Sequence, residues 1–341
     1  MKKILLTLAL ASLALAGCSN NKSNSTNNQS SNNENSSIER SSIPSSSEAP
    51  TYDYSSLSIV SPTGAPALAF YQYADKANFE TNAVPTNIVP MMVAGQKDVV
   101  VLPTNAGVQA IVNRQAPYKL AATITFGNFY LISMGNDTNE TLDTNDKILL
   151  FQKGNVPDKI FHYVYGNDLD SAIYYVEAAS DAATAAISGK FVDGESGENL
   201  TPNYVLLAEP ALTNVMSKKE GLSVYADIQA KYKEKSNGLP IFQASVFIKN
   251  SVEADLGNTF LDSLKNDINA AIEKPELLSA GLSKSSSPAE QYGVAPAMAE
   301  AVLKKNNGMG LGFAHAKENK DAVNAFLSLF NIAELNEENY Y

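Results

Sequence analysis

The chain has 341 residues, with 25 Lys or Arg against 36 Asp or Glu, so its formal net charge is −11. This excess of negative charge argues against nucleic acid or anionic lipid as the main partner, because both need clustered cations. One cysteine and two histidines exclude an intramolecular disulfide and any metal site built from several cysteines or three histidines. A hydrophobic content of 44% predicts a globular protein, and the length allows two lobes.

The first 17 residues have the form of a secretory signal. Lys2 and Lys3 supply positive charge, and the uncharged apolar stretch at 4–16 is shorter than the roughly 20 residues that span a bilayer. Residues 15–18 (LAGC) resemble the bacterial lipobox, in which the cysteine receives a diacylglyceryl group. The resemblance implies cleavage before Cys18, lipidation of Cys18 (palmitate among its acyl chains) and anchoring on the extracytoplasmic face of a bacterial cell membrane. The alternative is an ordinary secretory signal in which Cys18 has no special role.

Residues 18–56 are predicted to form a lipidated, disordered tether. Positions 19–56 contain 14 Ser and 8 Asn and very few apolar side chains. Such a segment cannot bury enough surface to offset its chain entropy. We therefore expect a folded domain held near the membrane by a flexible leader.

From residue 57 onwards, short β-rich runs alternate with helical patterns, which predicts an α/β fold. The predicted strands cover residues 57–60, 98–102, 119–125, 129–134, 172–177, 204–207 and 243–249. The predicted helices cover residues 66–76, 104–114, 157–165, 181–188, 210–217, 225–235, 252–273, 296–305 and 316–331.

Two segments, 123–128 and 238–246, are predicted to carry the chain from one lobe to the other and back. In the first of them a strand ends and a new strand begins within a few residues. This pattern predicts a discontinuous first lobe of residues 57–125 plus 245–341 and an inserted second lobe of residues 126–244. Paired crossover strands of this kind make a hinge with a cleft between the lobes.

Five ordered segments resemble a known family: 60–66 (VSPTGAP), 98–105 (DVVVLPTN), 118–120 (YKL), 125–130 (TFGNFY) and 206–210 (LLAEP). Together with the leader they are similar to substrate-binding lipoproteins of ABC importers, in the branch of NitT/TauT-type and thiamine-precursor-binding proteins. The resemblance implies a two-lobed, periplasmic-binding-protein-like class II α/β fold with a discontinuous first lobe and two crossover strands. It also implies two partners, a membrane ABC permease and, through the permease, a cytoplasmic ATPase.

Two strand–helix junctions are predicted to line the cleft. At the first, the candidate ligand contacts are Ser61, Thr63, Gly64 and Ala65, which precede the Pro that opens a helix. At the second they are Thr104 and Asn105. Gly64 allows the backbone to approach a ligand closely, and helix N-termini at the ends of strands favour polar or anionic groups. The alternative is that Thr63 and Thr104 only cap their helices.

The crossovers and a Glu-Pro pair supply the remaining candidates. Phe126, Gly127 and Asn128 lie at the first crossover, and Phe126 is predicted to stack on a flat ligand, with hinge packing as the alternative. Ser245, and with it Gln243, can reach a ligand from the second crossover. Glu209 either faces the cleft or only stabilises a helix N-terminus. The Gly-Asn turn at 154–155 is either an amide nest or a surface turn.

These features predict a small-molecule binding protein, expected to be a monomer, rather than an enzyme. No nucleophile–base motif, metal-ligand motif or cofactor-binding motif stands out, so we expect no metal and no cofactor. The preferred ligand is a planar heterocycle such as a thiamine-precursor-like pyrimidine. Alternatives are an alkyl sulfonate, a nitrate-like ion or a carboxylate. Two hypotheses from other functional classes are a cell-surface adhesin and an extracellular enzyme.

Overall fold

Two large mixed β-sheets carry the fold of the described chain, which in the computed structural model comprises residues 56–135, 141–305 and 307–341. Helices cover both sheets, and strands and helices alternate along much of the sequence. The predicted α/β class is therefore confirmed. The described residues fall within one compact unit.

The first sheet has six strands in the order β13-β4-β12-β3-β1-β2. Strands β1, β2 and β3 run parallel, whereas β12 is antiparallel to both of its neighbours and β13 is antiparallel to β4. Its strands are β1 (Ile59–Pro62), β2 (Phe79–Asn82), β3 (Val99–Pro103), β4 (Tyr118–Thr125), β12 (Ala244–Lys249) and β13 (Leu311–His315).

The second sheet has five strands in the order β11-β5-β10-β6-β7. Strands β10, β6 and β7 run parallel, and β5 is antiparallel to both β10 and β11. Its strands are β5 (Phe129–Ser133), β6 (Ile148–Phe151), β7 (Ile173–Val176), β10 (Tyr204–Ala208) and β11 (Ser223–Asp227). A separate two-stranded ribbon pairs β8 (Phe191–Val192) with β9 (Asn199–Leu200).

The helices fill the connections between these strands. They are α1 (Ala65–Leu68), α2 (Ile88–Val93), α3 (Thr104–Arg114), α4 (Val156–Tyr165), α5 (Ala179–Ser188), α6 (Ala211–Lys218), α7 (Ile228–Lys235), α8 (Ala254–Glu273), α9 (Pro275–Leu282), α10 (Pro288–Tyr292), α11 (Pro296–Lys304) and α12 (Lys320–Ser328).

Strand β3 shows why an unbroken apolar run is stable in the first sheet. Val99 and Val101 pack in one hydrophobic cluster, whereas Val100 and Leu102 pack in another. Since successive side chains of a strand point to opposite faces, both faces of this strand are covered. The sequence DVVVL therefore folds as a central buried strand, as its apolar run predicts.

Several predicted elements differ from the structure in extent or type. The helix predicted at 225–235 begins three residues later, because residues 225–227 belong to β11. The helix predicted at 66–76 is only the short α1 followed by a 3₁₀ turn at Tyr71–Tyr73. Thr104 is not an N-cap, since it is already the first residue of α3 and Pro103 precedes it as the cap.

The chain passes between the sheets at two places. Every strand of the second sheet lies between Phe129 and Asp227, and every strand of the first ends by Thr125 or begins at Ala244 or later. The parallel strands of each sheet thus bring their carboxyl ends towards the region where the chain crosses. The residue bounds assigned to the two lobes stay a prediction.

Candidate ligand-binding cavity

A cavity of about 750 Å³ lies between the two sheets. The last residues of β1, β3, β6 and β10 form part of its wall: Pro62, Pro103, Phe151 and Ala208. The starts of α1, α4, α5 and α6 also belong to this wall. Ligands of open α/β sheets bind outside the carboxyl ends of the strands, and cavities of about 300–1,000 Å³ suit small molecules.

The turn between β1 and α1 contributes Thr63, Gly64 and Ala65 to the wall, as the sequence predicts. Gly64 has φ 95°, a conformation that costs a residue with a side chain free energy, so glycine fits this turn. The amide of Gly64 donates to the carbonyl oxygen of Tyr292 at 3.0 Å. This N–H is therefore already partnered within the protein.

At the second strand–helix junction, the hydroxyl of Thr104 bonds within the protein and does not line the cavity. The hydroxyl oxygens of Thr104 and Ser245 are 2.7 Å apart, and those of Thr123 and Ser245 are 2.8 Å apart. All three side chains are buried and none belongs to the cavity wall. This hydroxyl triad joins β4, β12 and the start of α3, so its local role is structural. Asn105 is also buried beside it, and its Oδ1 has no hydrogen-bond partner among the described residues.

Phe126 and Gly127 at the first crossover also lie outside the wall. The ring of Phe126 packs edge-on against Phe242 with centroids 5.9 Å apart, which is hinge packing. At Gly127, with φ 94°, a Cβ would lie 2.7 Å from Cγ of Gln229. The glycine thus permits a close approach between the crossover and α7.

Asn128, which does line the cavity, connects the two crossovers. Its Nδ2 donates to the carbonyl oxygen of Glu209 at 2.7 Å, and its Oδ1 accepts from Nε2 of Gln243 at 3.0 Å. The backbone amide of Glu209 in turn donates to the Asn128 carbonyl oxygen at 2.9 Å. Asn128 therefore links the end of β10 to the strand that returns to the first sheet.

The carboxylate of Glu209 is buried and stabilises the first turn of α6. Its two oxygens accept from the Thr213 amide at 3.0 Å and the Thr213 hydroxyl at 2.8 Å. Burial raises the pKa of Glu209, while the two bonds from Thr213 and the charge of Lys305 act in the opposite direction. Glu209 belongs to the cavity wall, and its carboxylate bonds to the first turn of α6. Contact between this carboxylate and a ligand stays a prediction.

Five of the eleven predicted contacts belong to the cavity wall, and six lie outside it. Those in the wall are Thr63, Gly64, Ala65, Asn128 and Glu209. Those outside are Ser61, Thr104, Asn105, Phe126, Gly127 and Ser245. The hydroxyl of Ser61 is buried and donates to the carbonyl oxygen of Pro62 at 3.1 Å. The predicted lipidation site Cys18 lies outside the described residues.

The wall also contains polar residues that the sequence does not single out. They are Gln152, Ser180, Thr184, Asn214 and Lys218, which lie after β6 or on α5 and α6. A polar residue on a helix carries no sequence signal of its direction, which explains why these were missed. Asn155 and Gln243, considered from the sequence, are both in the wall.

Lys218 and Glu209 are the charged side chains of this wall. Lys218 is exposed, and no ion pair in the described part of the chain includes it. Because both Glu209 oxygens are bonded to Thr213, Lys218 is the charge that a ligand can neutralise most directly.

A charged cluster holds the N-terminal turn of α4, whose first residues line the cavity. Nδ1 of His162 is 2.9 Å from Oδ1 of the buried Asp158, and its Nε2 is 3.1 Å from Oδ1 of Asp170. Asp158 also accepts from the Gly154 amide at 2.7 Å and from the Tyr175 hydroxyl at 2.8 Å. The hydrogen bond with Asp158 raises the pKa of His162 to about 9 against the effect of burial.

The described residues offer neither a metal-binding cluster nor a membrane-spanning helix. They contain no group of three or more His, Cys, Asp or Glu side chains placed to hold a metal ion. Among their helices, none combines the length and the apolar character that crossing a membrane requires.

Several solved structures share the architecture of this chain. No family model and no curated protein sequence matches the chain. An ABC transporter protein from Parabacteroides distasonis superposes with a TM-score of 0.63 at 21% identity, over 80% of this chain and 91% of that one. The periplasmic aliphatic sulphonate binding protein SsuA from Escherichia coli gives 0.56 at 11% identity, over 83% and 91%.

The ligand binding component of an ABC-type import system from Staphylococcus aureus gives a TM-score of 0.57 at 7% identity, over 83% of this chain and 94% of that one. The fold is that of the periplasmic binding proteins. This confirms the predicted fold class, and at these identities the likeness establishes the fold alone. In the periplasmic-binding-protein fold described here, the cavity lies where the two sheets meet.

Proposed function

We propose that this protein is the substrate-binding component of an ABC importer, capturing a small solute and delivering it to a membrane permease. The observation that carries the proposal is the cavity of about 750 Å³ between two sheets joined by crossovers. A solute that contacts both walls stabilises a closed arrangement of the lobes, because it gains contacts there that an open form lacks.

The composition of the wall supports binding rather than catalysis. Its described residues include neither histidine nor cysteine, and its one carboxylate is bonded to Thr213. General acid–base or nucleophilic catalysis needs a nucleophile and a base within hydrogen-bond reach of each other. The proposed function is therefore non-enzymatic.

The structure changes the balance between the ligand classes considered from the sequence. A thiamine-like pyrimidine is suited by aromatic rings together with a glutamate, and Phe126 and Glu209 are the candidates that the sequence offers. Phe126 packs against Phe242, and both Glu209 oxygens are bonded. Lys218 instead offers a cation in the wall that forms no ion pair with any described residue. We therefore propose a small organic anion, such as a sulfonate or a carboxylate, as the preferred ligand.

A planar heterocycle is kept as the second candidate because two aromatic rings belong to the wall. Phe129 and Phe151 are tilted against each other with centroids 6.2 Å apart. Both are at most 3% exposed, so they can offer only a ring edge to a ligand in this arrangement. This limited access places the heterocycle second.

The proposed setting is the extracytoplasmic face of a bacterial membrane, where a diacylglyceryl-modified Cys18 anchors the chain. The sequence resemblance supports this setting, together with a permease and a cytoplasmic ATPase as partners. The protein is proposed to work as a monomer.

A thermal-shift panel tests the proposed function. The full chain is screened with alkyl sulfonates, carboxylates and pyrimidines at millimolar concentration. We expect organic anions to raise the unfolding midpoint, because a ligand that binds only the folded state stabilises it. A rise with pyrimidines alone would favour the heterocycle, and silence across the panel would contradict the proposed function.

A further inference from the structure

Gln243 lies where the returning crossover meets the cavity, and this residue belongs to the wall. Its Nε2 donates a hydrogen bond to Oδ1 of Asn128 at 3.0 Å. Its Oε1 is buried and has no hydrogen-bond partner among the described residues. Gln243 is therefore a residue of the wall with one buried polar atom that has no partner in the described chain.

The identity of that unused atom follows from the hydrogen-bond chain. The carbonyl oxygen of Glu209 can only accept, so Asn128 must direct its NH₂ group towards it. Oδ1 of Asn128 is then an acceptor, and Gln243 must direct its own NH₂ group towards Asn128. Rotating either amide by a half turn would place two acceptors against each other. The atom left over is thus the carbonyl oxygen of Gln243, an acceptor.

A buried acceptor without a partner destabilises the folded protein, and such atoms are rare unless a ligand or a water molecule bonds to them. In this structure Oε1 is covered. Because Gln243 belongs to the cavity wall, a shift of its side chain on binding would bring Oε1 to a donor of the solute. Three other buried oxygens also lack a partner among the described residues, but none of their residues is part of the wall: Oδ1 of Asn105, Oγ1 of Thr125 and the hydroxyl of Tyr165.

We propose that the bound solute donates a hydrogen bond to Oε1 of Gln243, so the site selects solutes with an N–H or O–H group there. The inference rests on the proposed function and narrows its ligand class. With Lys218 in the same wall, the favoured solute is a small organic anion that also carries a hydrogen-bond donor. A nitrate-like ion, which has no donor at neutral pH, does not meet this requirement.

Pairs of isosteric probes test the selection. Each pair replaces one donor by a methyl group: 2-hydroxyethanesulfonate and propane-1-sulfonate, 3-hydroxybutyrate and 3-methylbutyrate, 4-aminopyrimidine and 4-methylpyrimidine. Affinities for the full chain are measured by isothermal titration calorimetry. In any pair that binds, we expect the donor-bearing member to bind at least about 10-fold more tightly, since its partner leaves the Gln243 oxygen unpaired.

A substitution separates ligand recognition from a purely structural role of the amide. Gln243→Met keeps the length of the side chain but removes both polar atoms. It is expected to make the two members of a pair bind equally, whereas a general loss of hinge integrity would weaken both and preserve their ratio. Gln109→Met, on an exposed face of α3 outside the wall, is the matched control and should leave the affinities and the ratio unchanged.

Every outcome of these titrations either supports or overturns the proposed hydrogen bond from the solute to Gln243. Equal binding of the two members by the wild-type protein would overturn it while leaving the proposed function intact, because a water molecule would then satisfy Gln243 in both complexes. No binding by any of the six probes would contradict the proposed function and the inference with it. If Gln243→Met does not fold, the ratio measured on the wild-type protein still decides.

Discussion

Asn128 accepts a hydrogen bond from the side-chain amide of Gln243 at 3.0 Å, although 115 residues separate them in the sequence. The two residues lie on the outgoing and the returning crossover, so this bond ties together the two points where the chain changes sheet. The same Asn128 also holds the backbone of Glu209 at the end of β10. The buried side-chain amide of Asn128 thus bonds to both the returning crossover and the end of β10.

Replacing Asn128 by Ala is expected to destabilise the protein by about 1–3 kcal/mol, because Gln243 and the Glu209 carbonyl would each lose a buried partner. The free energy of unfolding in urea measures the effect. Asn113→Ala, at an exposed position of α3, should change it little. Similar values for both variants would show that the Asn128 bonds contribute nothing.

Ser245→Ala is expected to cost about 1–3 kcal/mol of stability, because the Thr104 and Thr123 hydroxyls lose their shared buried partner. The matched variant Ser217→Ala removes an exposed hydroxyl that bonds only the Asn214 carbonyl oxygen, and it should cost much less. Affinity for any probe that binds the wild-type protein should be unchanged in Ser245→Ala. A selective loss of affinity would place Ser245 at the ligand after all.

His162→Gln is expected to show a pH-dependent loss of stability. The folded-state pKa of His162, about 9, lies above its ordinary value of 6.5. The stabilisation is therefore complete below pH 6.5 and disappears as the pH rises through about 9. Between pH 5 and 6.5 we expect a loss of about 2 kcal/mol, which shrinks towards zero above pH 9.

Asp158, in the same cluster, determines how the stability changes at low pH. Although burial raises its pKa, the bonds from His162, Gly154 and Tyr175 outweigh that effect and lower it below 3.8. Its contribution is therefore present above pH 3.8 and is lost as the pH falls further. The free energy of unfolding in urea is measured for His162→Gln and for the control His315→Gln, from below pH 3.8 up to pH 10. A loss in His162→Gln that is constant from pH 5 to 10 would refute the charged pair.

Lys218→Gln is expected to weaken the binding of an anionic probe about 2- to 5-fold, because it removes the cation of the cavity wall. Raising the salt concentration should reduce the difference between this variant and the wild type, as the charge is exposed to solvent. Lys233→Gln, on an exposed face of α7, is the matched control. Equal affinities in Lys218→Gln and the wild type would remove the argument for an anionic ligand.

The sequence predicts the fold well where a pattern has one physical meaning. The apolar run of β3 and the helix that follows it, α3, are found as expected, since a strand buried on both faces needs such a run. Strand β6 (ILLF) was missed, because four apolar residues can equally belong to a helix. Strand β13 lies in a glycine-rich segment with weak intrinsic preference, and pairing with β4 determines its structure.

The sequence predicts which backbone segments reach the cavity, but it does not predict which way their side chains point. Thr63, Gly64 and Ala65 reach the cavity because a strand–helix turn at the end of β1 must lie there. Thr104 occupies the equivalent place after β3, yet its hydroxyl points to Ser245. Which way a side chain points at such a junction depends on tertiary neighbours that the local sequence does not reveal.

Native mass spectrometry of the full chain, after incubation with the low-molecular-mass fraction of a yeast extract, tests the central claim most directly. Ala183→Phe fills space at the cavity wall, and Ala301→Phe adds the same ring at an exposed position of α11. The wild type and Ala301→Phe should retain a discrete small-molecule mass that is lost on unfolding, and Ala183→Phe should not. No bound mass in the wild type, or the same mass in Ala183→Phe, would contradict a solute-binding cavity between the sheets.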